Sequence, residues 1–539
     1  MNKNLKVLLI ALLAVGLLLA GCSSGGGTKK STSGKGQSSG ETKPKQDTLV
    51  YARGGDSVTL DPITTTEGET FKVTENIYDT LVSFGDSDTS TQPGLAEEWK
   101  ISDDSLTYTF KLQKGVKFHD GTDFNAEAVK YNFDRWAGGN EDQFPYYTMF
   151  GGYKGDEGHV IQEIKVEDEH TIIFTLKRPQ ATFLVNLAMS CFGIASPAAL
   201  EKHGDNYRKN PVGTGPFKFV EWKENDTITL EKNENYWQKG FPKLNKLIYR
   251  VIPENTARLN ALANGEIDMM DGLNYAEVAQ VEGNEKLQVI ERPSMNVGYL
   301  GFTTTRKPFD NKLVRQALNH AIDKESIIQA FYAGMAKPAV NPMPPSIQGY
   351  NEAIEAYPYD LDKAKELLKE AGFEKGFKMD LWAMPVARLY MPEGQKVAEI
   401  IQESFSKIGV QAEIKTVDWP TYLDKAKKGE FDAFMLGWTG DNGDADNFLY
   451  TLLDKDSIGG SNYSRYANDE LHDILIKAQS ETDEEKRAEI YKEAQVIIHE
   501  DAPWVPLVHS RPLSAAVKEI SGYVPHPTGS ESLMKVEFK

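Results

Sequence analysis

Apolar and polar positions alternate most cleanly at residues 106–112, where Leu106, Tyr108, Phe110 and Leu112 are separated by Thr107, Thr109 and Lys111. A period of two places the apolar side chains on one face, so the pattern predicts a half-buried strand. Ile172, Phe174 and Leu176 repeat it against Thr171 and Thr175. Between them, Asn125 is placed to cap a helix whose Val129, Phe133 and Trp136 share one face. From Thr48 to about Pro293 strands and turns dominate. From about Asn296 to Ser510 helical and strand periods alternate. Asp360 or Asp362 leads a helix carrying Ala364, Leu367, Leu368 and Ala371, with Gly372 as its stop. A strand at 377–383 follows, then a helix with Val397, Ile400, Ile401, Phe405 and Ile408, ended by Gly409. Val410 to Val417 predicts a strand, Pro420 to Lys428 a helix, and Phe431 to Leu436 a strand. After about Arg511, turns and short strands return.

Strand, helix, strand, helix, strand implies parallel strands joined by right-handed crossovers, hence an α/β layer with all carboxyl ends on one edge. Arg388 lies in the loop after the first of these strands and Asp441 in the loop after the third, so both are expected on that edge. The second loop belongs to the run Gly437-Trp438-Thr439-Gly440-Asp441-Asn442-Gly443-Asp444-Ala445-Asp446-Asn447. Its glycines are expected to break the strand and to let the backbone pass close to something. Its three aspartates concentrate negative charge. Such a loop is either a solvated acidic turn or a ligand site at the end of an α/β strand.

At 539 residues the chain calls for two or three domains. Hydrophobic content of 40% can fill real cores, and a net charge of −19 argues against nucleic acid as a partner. At the N-terminus, Lys3 and Lys6 precede the apolar run Val7 to Ala20, which has the physics of a signal peptide over residues 1–21. Its end, Leu19-Ala20-Gly21-Cys22, resembles the lipobox of bacterial lipoproteins, which implies Cys22 as the lipidated N-terminus. Cleavage there removes two lysines and no acid, taking the charge from −19 to −21. Residues 22–47 are mostly Ser, Gly, Lys and Thr and predict a flexible tether with an r.m.s. span of roughly 25–30 Å. A tethered globular part then works at a membrane surface without lying in it.

Cys22 and Cys191 are the two cysteines. With Cys22 lipidated no intrachain disulfide is possible, and Cys191, amid Leu187, Ala188, Met189 and Phe192, is expected to be a buried, inert thiol. G-x-S-x-G occurs only at Gly21–Gly25 and Gly36–Gly40, in Ser/Gly-rich sequence where no strand is expected, and H-E-x-x-H and P-loop patterns are absent, so no enzyme activity is expected. Calcium-loop spacing fails at Leu452 and Lys455, the histidines show no metal-ligand spacing, and neither metal nor cofactor is expected. His119 is expected to be a turn residue.

The stretches "LAEEWKISDDSLTYTFKLQKGVKFHDGTDFNAEAVKYNFDR", "NPVGTGPFKFVEW" and "GYLGFTTTRKPFDNKLVRQALNHAID" resemble the family 5 extracellular solute-binding proteins of ABC importers. The resemblance covers the chain after the tether. It implies an α/β, periplasmic-binding-protein-like type II (cluster C) flytrap of two lobes, with an extra subdomain in the first. Lobe I would be 48–293 and 511–539, with the subdomain at roughly 82–213, and lobe II 294–510. Within the family, "LWAMPVARLY" and "GWTGDNGDADNF" are similar to the specificity segments of the dipeptide-binding proteins. This implies Asp441 for a peptide ammonium, Arg388 for its carboxylate, and Tyr390, Trp438 and Gly440 as further ligand-binding residues. Leu389 and Ala445 stand where those proteins tend to have proline. The implied partners are a dipeptide or short peptide and an ABC permease, with the receptor monomeric. Oligopeptide, glutathione and haem receptors, and a lipoprotein that senses a pheromone peptide, are the alternatives.

A free peptide carries an ammonium at one end and a carboxylate at the other. Enclosing it strips water from both charges, which is costly unless each meets a partner. Aspartate accepts hydrogen bonds from an ammonium, and arginine grips a carboxylate bidentately. Two extended residues span only ~7 Å, so holding both ends measures length.

Overall fold

The computed structural model describes residues 47–539; the signal segment, Cys22 and the tether up to residue 46 lie outside the described residues. Two large sheets organise the chain. The first has seven strands in the order Leu287–Glu291, Leu513–Val517, Met269–Asp271, Thr48–Arg53, Lys246–Val251, Thr227–Lys232 and Phe217–Lys223. The second has six: Lys337–Pro338, Trp504–His509, Asn296–Phe302, Ala433–Thr439, Lys378–Trp382 and Gln411–Lys415. The chain passes between them twice, from Glu291 to Asn296 and from His509 to Leu513. Two short crossings leave the lobes free to swing about one line.

Inserted in the first lobe is a four-stranded antiparallel sheet of Ala96–Ile101, Thr107–Leu112, Thr171–Leu176 and Ile161–Asp168. The alternation at 106–112 has its physical counterpart here, since Tyr108, Phe110 and Leu112 are buried. The helix Ala126–Ala137 covers that face. Asn125 caps it by accepting the Ala128 N–H at 3.0 Å. Phe133 meets Phe174 edge-on with ring centroids 4.9 Å apart, and Phe174 meets Phe110 at 5.7 Å. Each such buried ring contributes about 1.5–3 kcal/mol. Cys191 is a free, buried thiol in this subdomain's core. His119 Nε2 lies 2.9 Å from Gly215 O, and burial pushes its imidazole down to about 4, so it is a neutral tie between two turns.

In the second lobe, Lys378–Trp382 pairs in parallel with both Gln411–Lys415 and Ala433–Thr439. Asp360 caps the helix Leu361–Glu370 through the N–H groups of Asp362 and Lys363. Val397, Ile401 and Phe405 bury the inner face of the helix Gly394–Ser406. One expectation fails. Gly437 does not break its strand, which runs on through Trp438 to Thr439, paired antiparallel with Asn296–Phe302. The reason is close approach. A Cβ on Gly437 would lie 2.2 Å from Tyr390 Cδ2, and Gly437 sits opposite Gly298, so the two glycines let the Tyr390 loop settle on the sheet.

Candidate functional site

The parallel strands end at Trp382 and Thr439 and deliver the Arg388 and Asp441 loops to one edge of the sheet. In the first loop, Arg388 and Met391 exchange backbone hydrogen bonds of 3.1 and 2.9 Å, making a tight turn. Two carbonyls fasten it. Leu389 O accepts from Ser510 Oγ on the return crossing at 2.8 Å, and Tyr390 O accepts from the Tyr332 hydroxyl at 2.9 Å. These bonds hold the turn although Leu389 supplies no proline rigidity. The Arg388 guanidinium stands 5.2 Å from the Trp419 ring centroid, a cation–π contact, and no carboxylate pairs with it among the described residues.

In the second loop, Asn447 sets the geometry. Its Oδ1 accepts from Asp441 N at 3.0 Å and from Trp438 Nε1 at 2.9 Å, while its Nδ2 donates to Asp441 Oδ2 at 3.2 Å. Asp444 is held bidentately by Arg487 at 2.5 and 2.7 Å. Among the described residues, the Asp446 carboxylate receives only the Gln479 amide, at 3.1 and 3.3 Å. Gly440 corrects an expectation: it is buried behind the wall, its N–H donates to Met295 O at 2.8 Å, and its amide is not free for a ligand. Phe448 and Met295 fill the space where its side chain would be.

The opposite wall comes from the inserted subdomain. The Tyr146 hydroxyl donates to Asp441 Oδ1 at 2.9 Å. Asn442 Nδ2 donates to Asn186 Oδ1 at 2.9 Å, and Ala181 N donates to Gln479 O at 2.9 Å. Gly443, at φ +72°, packs so tightly on Thr89 that a Cβ would fall 1.9 Å from its hydroxyl. The lobes are therefore closed on each other. Sequence reading missed Tyr146, which stands 295 positions from Asp441 in a segment with no distinctive pattern. Burial raises the Asp441 carboxyl to about 6, against the opposing hydrogen bonds from Tyr146 and Asn447. Burial, then the Asp441 charge, raises the Tyr146 phenol far above its ordinary range.

Between the walls lies a cavity of about 1470 Å³, lined by Arg388, Tyr390, Trp438, Asp441 and Tyr146 among others. Most charged groups on its surface are already paired. Lys72 bonds Glu69 and Asp271, Arg292 bonds Glu531, and Glu393 bonds Lys396. Among the described residues, the lining charges without an ion-pair partner other than histidine are Asp441, Arg388, Asp446, Arg178 and the exposed Glu141 and Asp456. Asp454, Asp456 and His472 bring three possible metal-ligating atoms within 4.8 Å of one another, a juxtaposition that residue spacing did not reveal. His472 Nδ1 lies 3.1 Å from both oxygens of Asp454, so these two side chains are hydrogen-bonded to each other.

Two hinged lobes closed over an interior cavity with unpaired charges of both signs define a receptor that captures a small polar ligand. The comparisons give the family. A profile of the bacterial extracellular solute-binding proteins, family 5 Middle, matches residues 90–460, and the chain belongs to this family. It is 40% identical to a dipeptide-binding protein of Escherichia coli over 91% of this chain and 95% of that protein. It is 39% identical to heme-binding protein A of Haemophilus influenzae over 98% of each. The ABC transporter-associated periplasmic binding protein DppA of Helicobacter pylori, solved with the peptide STSA, superposes with a TM-score of 0.81 at 37% identity, over 92% of this chain and 98% of that one. The protein is thus an extracytoplasmic substrate-binding receptor of an ABC importer, with the two-lobed type II fold, and not an enzyme.

Proposed function

We propose that this receptor captures dipeptides and other short free peptides, with Asp441 taking the ammonium and Arg388 the carboxylate. The observation that carries the reading is that these two opposite charges share one sheet edge and line one cavity, and that neither has an ion partner among the described residues. Tyr390 and Trp438 line the same cavity and offer apolar surface to the ligand. Each charge contact is worth up to ~4 kcal/mol at an effective dielectric of 20, before desolvation is subtracted. Closure is favoured only to the extent that the closed state binds more tightly. A clamp on both termini, completed when Tyr146 of the other lobe reaches Asp441, supplies that difference.

The ligand reaches the permease from a lipid-anchored receptor. Leu19-Ala20-Gly21-Cys22 supports Cys22 as the anchor, and mass spectrometry of the N-terminal fragment tests it. The cavity of about 1470 Å³ also exceeds the roughly 300–1,000 Å³ usual for small-ligand pockets, which favours peptides of three or four residues as additional ligands. The chemistry is tested by calorimetry with Ala-Ala, N-acetyl-Ala-Ala and Ala-Ala-amide on wild type, Asp441→Asn and Arg388→Gln. The reading expects blocking the amine to matter in wild type and not in Asp441→Asn, and blocking the carboxylate to matter in wild type and not in Arg388→Gln. Wild-type affinity for either blocked peptide would refute the corresponding half of the clamp.

A further inference from the structure

Setting aside paired ions, the exposed Glu141 and Asp456 and the two charges assigned to peptide termini leaves Asp446 and Arg178 on the cavity wall. Asp446 is the first residue of the helix Asp446–Leu453, five positions beyond Asp441 on the same loop. Its partner is a neutral amide, Gln479 Nε2, at 3.1 and 3.3 Å from its two oxygens. The nearby cation Arg487 acts on it only at a distance, its hydrogen bonds being made elsewhere. Both Arg487 terminal nitrogens bond Asp444, one also bonds Tyr491, and Nε donates to Ala478 O at 3.0 Å.

The surrounding charge is net acidic. Asp444 and Asp454 act on Asp446 from its own lobe against Arg487, and His472 faces Asp454. Tyr491 faces Arg487 and Asp444, and Tyr450 follows on the same helix. Across the cavity, Arg178 influences the Tyr450 hydroxyl. An ionised carboxylate in such a wall is costly unless a cation meets it. The cavity, at about 1470 Å³, has room for a side chain beyond the peptide backbone.

We propose that Asp446 is a specificity-determining residue that receives the cationic end of a ligand side chain, so that short peptides bearing lysine or arginine bind more tightly than neutral ones of equal length. This rests on the peptide-receptor reading above. Burial places the Asp446 carboxyl at about 7, so at neutral pH a bound ammonium expels a proton from it.

The test is calorimetry at pH 7 in two buffers of different ionisation enthalpy, with Ala-Ala, Ala-Lys, Lys-Ala, Ala-norleucine and Ala-Glu. A lysine peptide should bind about tenfold more tightly than the norleucine peptide, the worth of one charge-assisted hydrogen bond, and release up to about half a proton more. In Asp446→Asn both differences should vanish. Should that variant fold poorly, the wild-type lysine-to-norleucine ratio and proton count decide alone. Equal wild-type affinities, an undiminished ratio in Asp446→Asn, or a preference for Ala-Glu, which would assign this arm to Arg178, each overturns the proposal while Ala-Ala binding keeps the peptide reading. Failure of every dipeptide, Ala-Ala included, removes both.

Discussion

Asp441→Asn should weaken peptide binding and yet stabilise the ligand-free receptor, and the size of the second effect follows from the site. Burial raises the Asp441 carboxyl from 3.8 to about 6. At about 1.4 kcal/mol per tenfold, holding it ionised at pH 7.5 costs about 3 kcal/mol. Water at the cavity wall screens the charge and brings this nearer about 2 kcal/mol. The sign follows from linkage. Because the folded value lies above the unfolded one, the penalty is absent below about pH 4, grows as pH rises, and is complete above about pH 6. Asparagine carries no charge and can still bond both neighbours, accepting from Asn447 Nδ2 and donating to the Tyr146 oxygen. For 539 residues, an unfolding entropy of about 1 kcal/mol/K converts the gain to about 2 °C at pH 7.5, shrinking towards zero at pH 4. Scanning calorimetry of refolded, ligand-free protein across this range measures it. A variant that melts lower than wild type at pH 7.5, or a difference independent of pH, would refute the reasoning.

Tyr146→Phe removes the hydroxyl that joins the lobes at Asp441, and the bond's worth of about 1.5 kcal/mol should appear as roughly tenfold faster peptide release in stopped-flow, with little change in association. Gly437→Ala places a Cβ 2.2 Å from Tyr390 and should cost about 1–3 kcal/mol in denaturant unfolding, while displacing the Arg388 turn and weakening binding. Arg487→Met takes the cation from Asp444, which stays beside Asp446, and should destabilise by about 3–5 kcal/mol at pH 7.5, with a smaller loss at pH 5, where Asp446, raised by burial to about 7, is neutral. An acid-insensitive loss would assign Arg487 to packing instead.

Local periodicity carries far in this protein because it reflects which face of each element meets a core. The buried faces of 107–112 and 394–406, the Asn125 and Asp360 caps, and the common edge of the parallel strands behind Arg388 and Asp441 all follow from short-range pattern and chain connectivity. What pattern cannot report is which distant groups meet. Gly437 reads as a strand breaker until Tyr390 is seen lying on it, and Gly440 reads as a ligand contact until its N–H is found on Met295. The run of three aspartates looks uniform in sequence. Only the tertiary structure divides it, giving Asp444 to Arg487, Asp441 to Tyr146 of the other lobe, and Asp446 to the cavity wall beside the Gln479 amide. A charge's role depends on what it faces after solvent is removed: Arg487 meets Asp444 by folding within the second lobe, whereas Tyr146 meets Asp441 only where the two lobes close on each other.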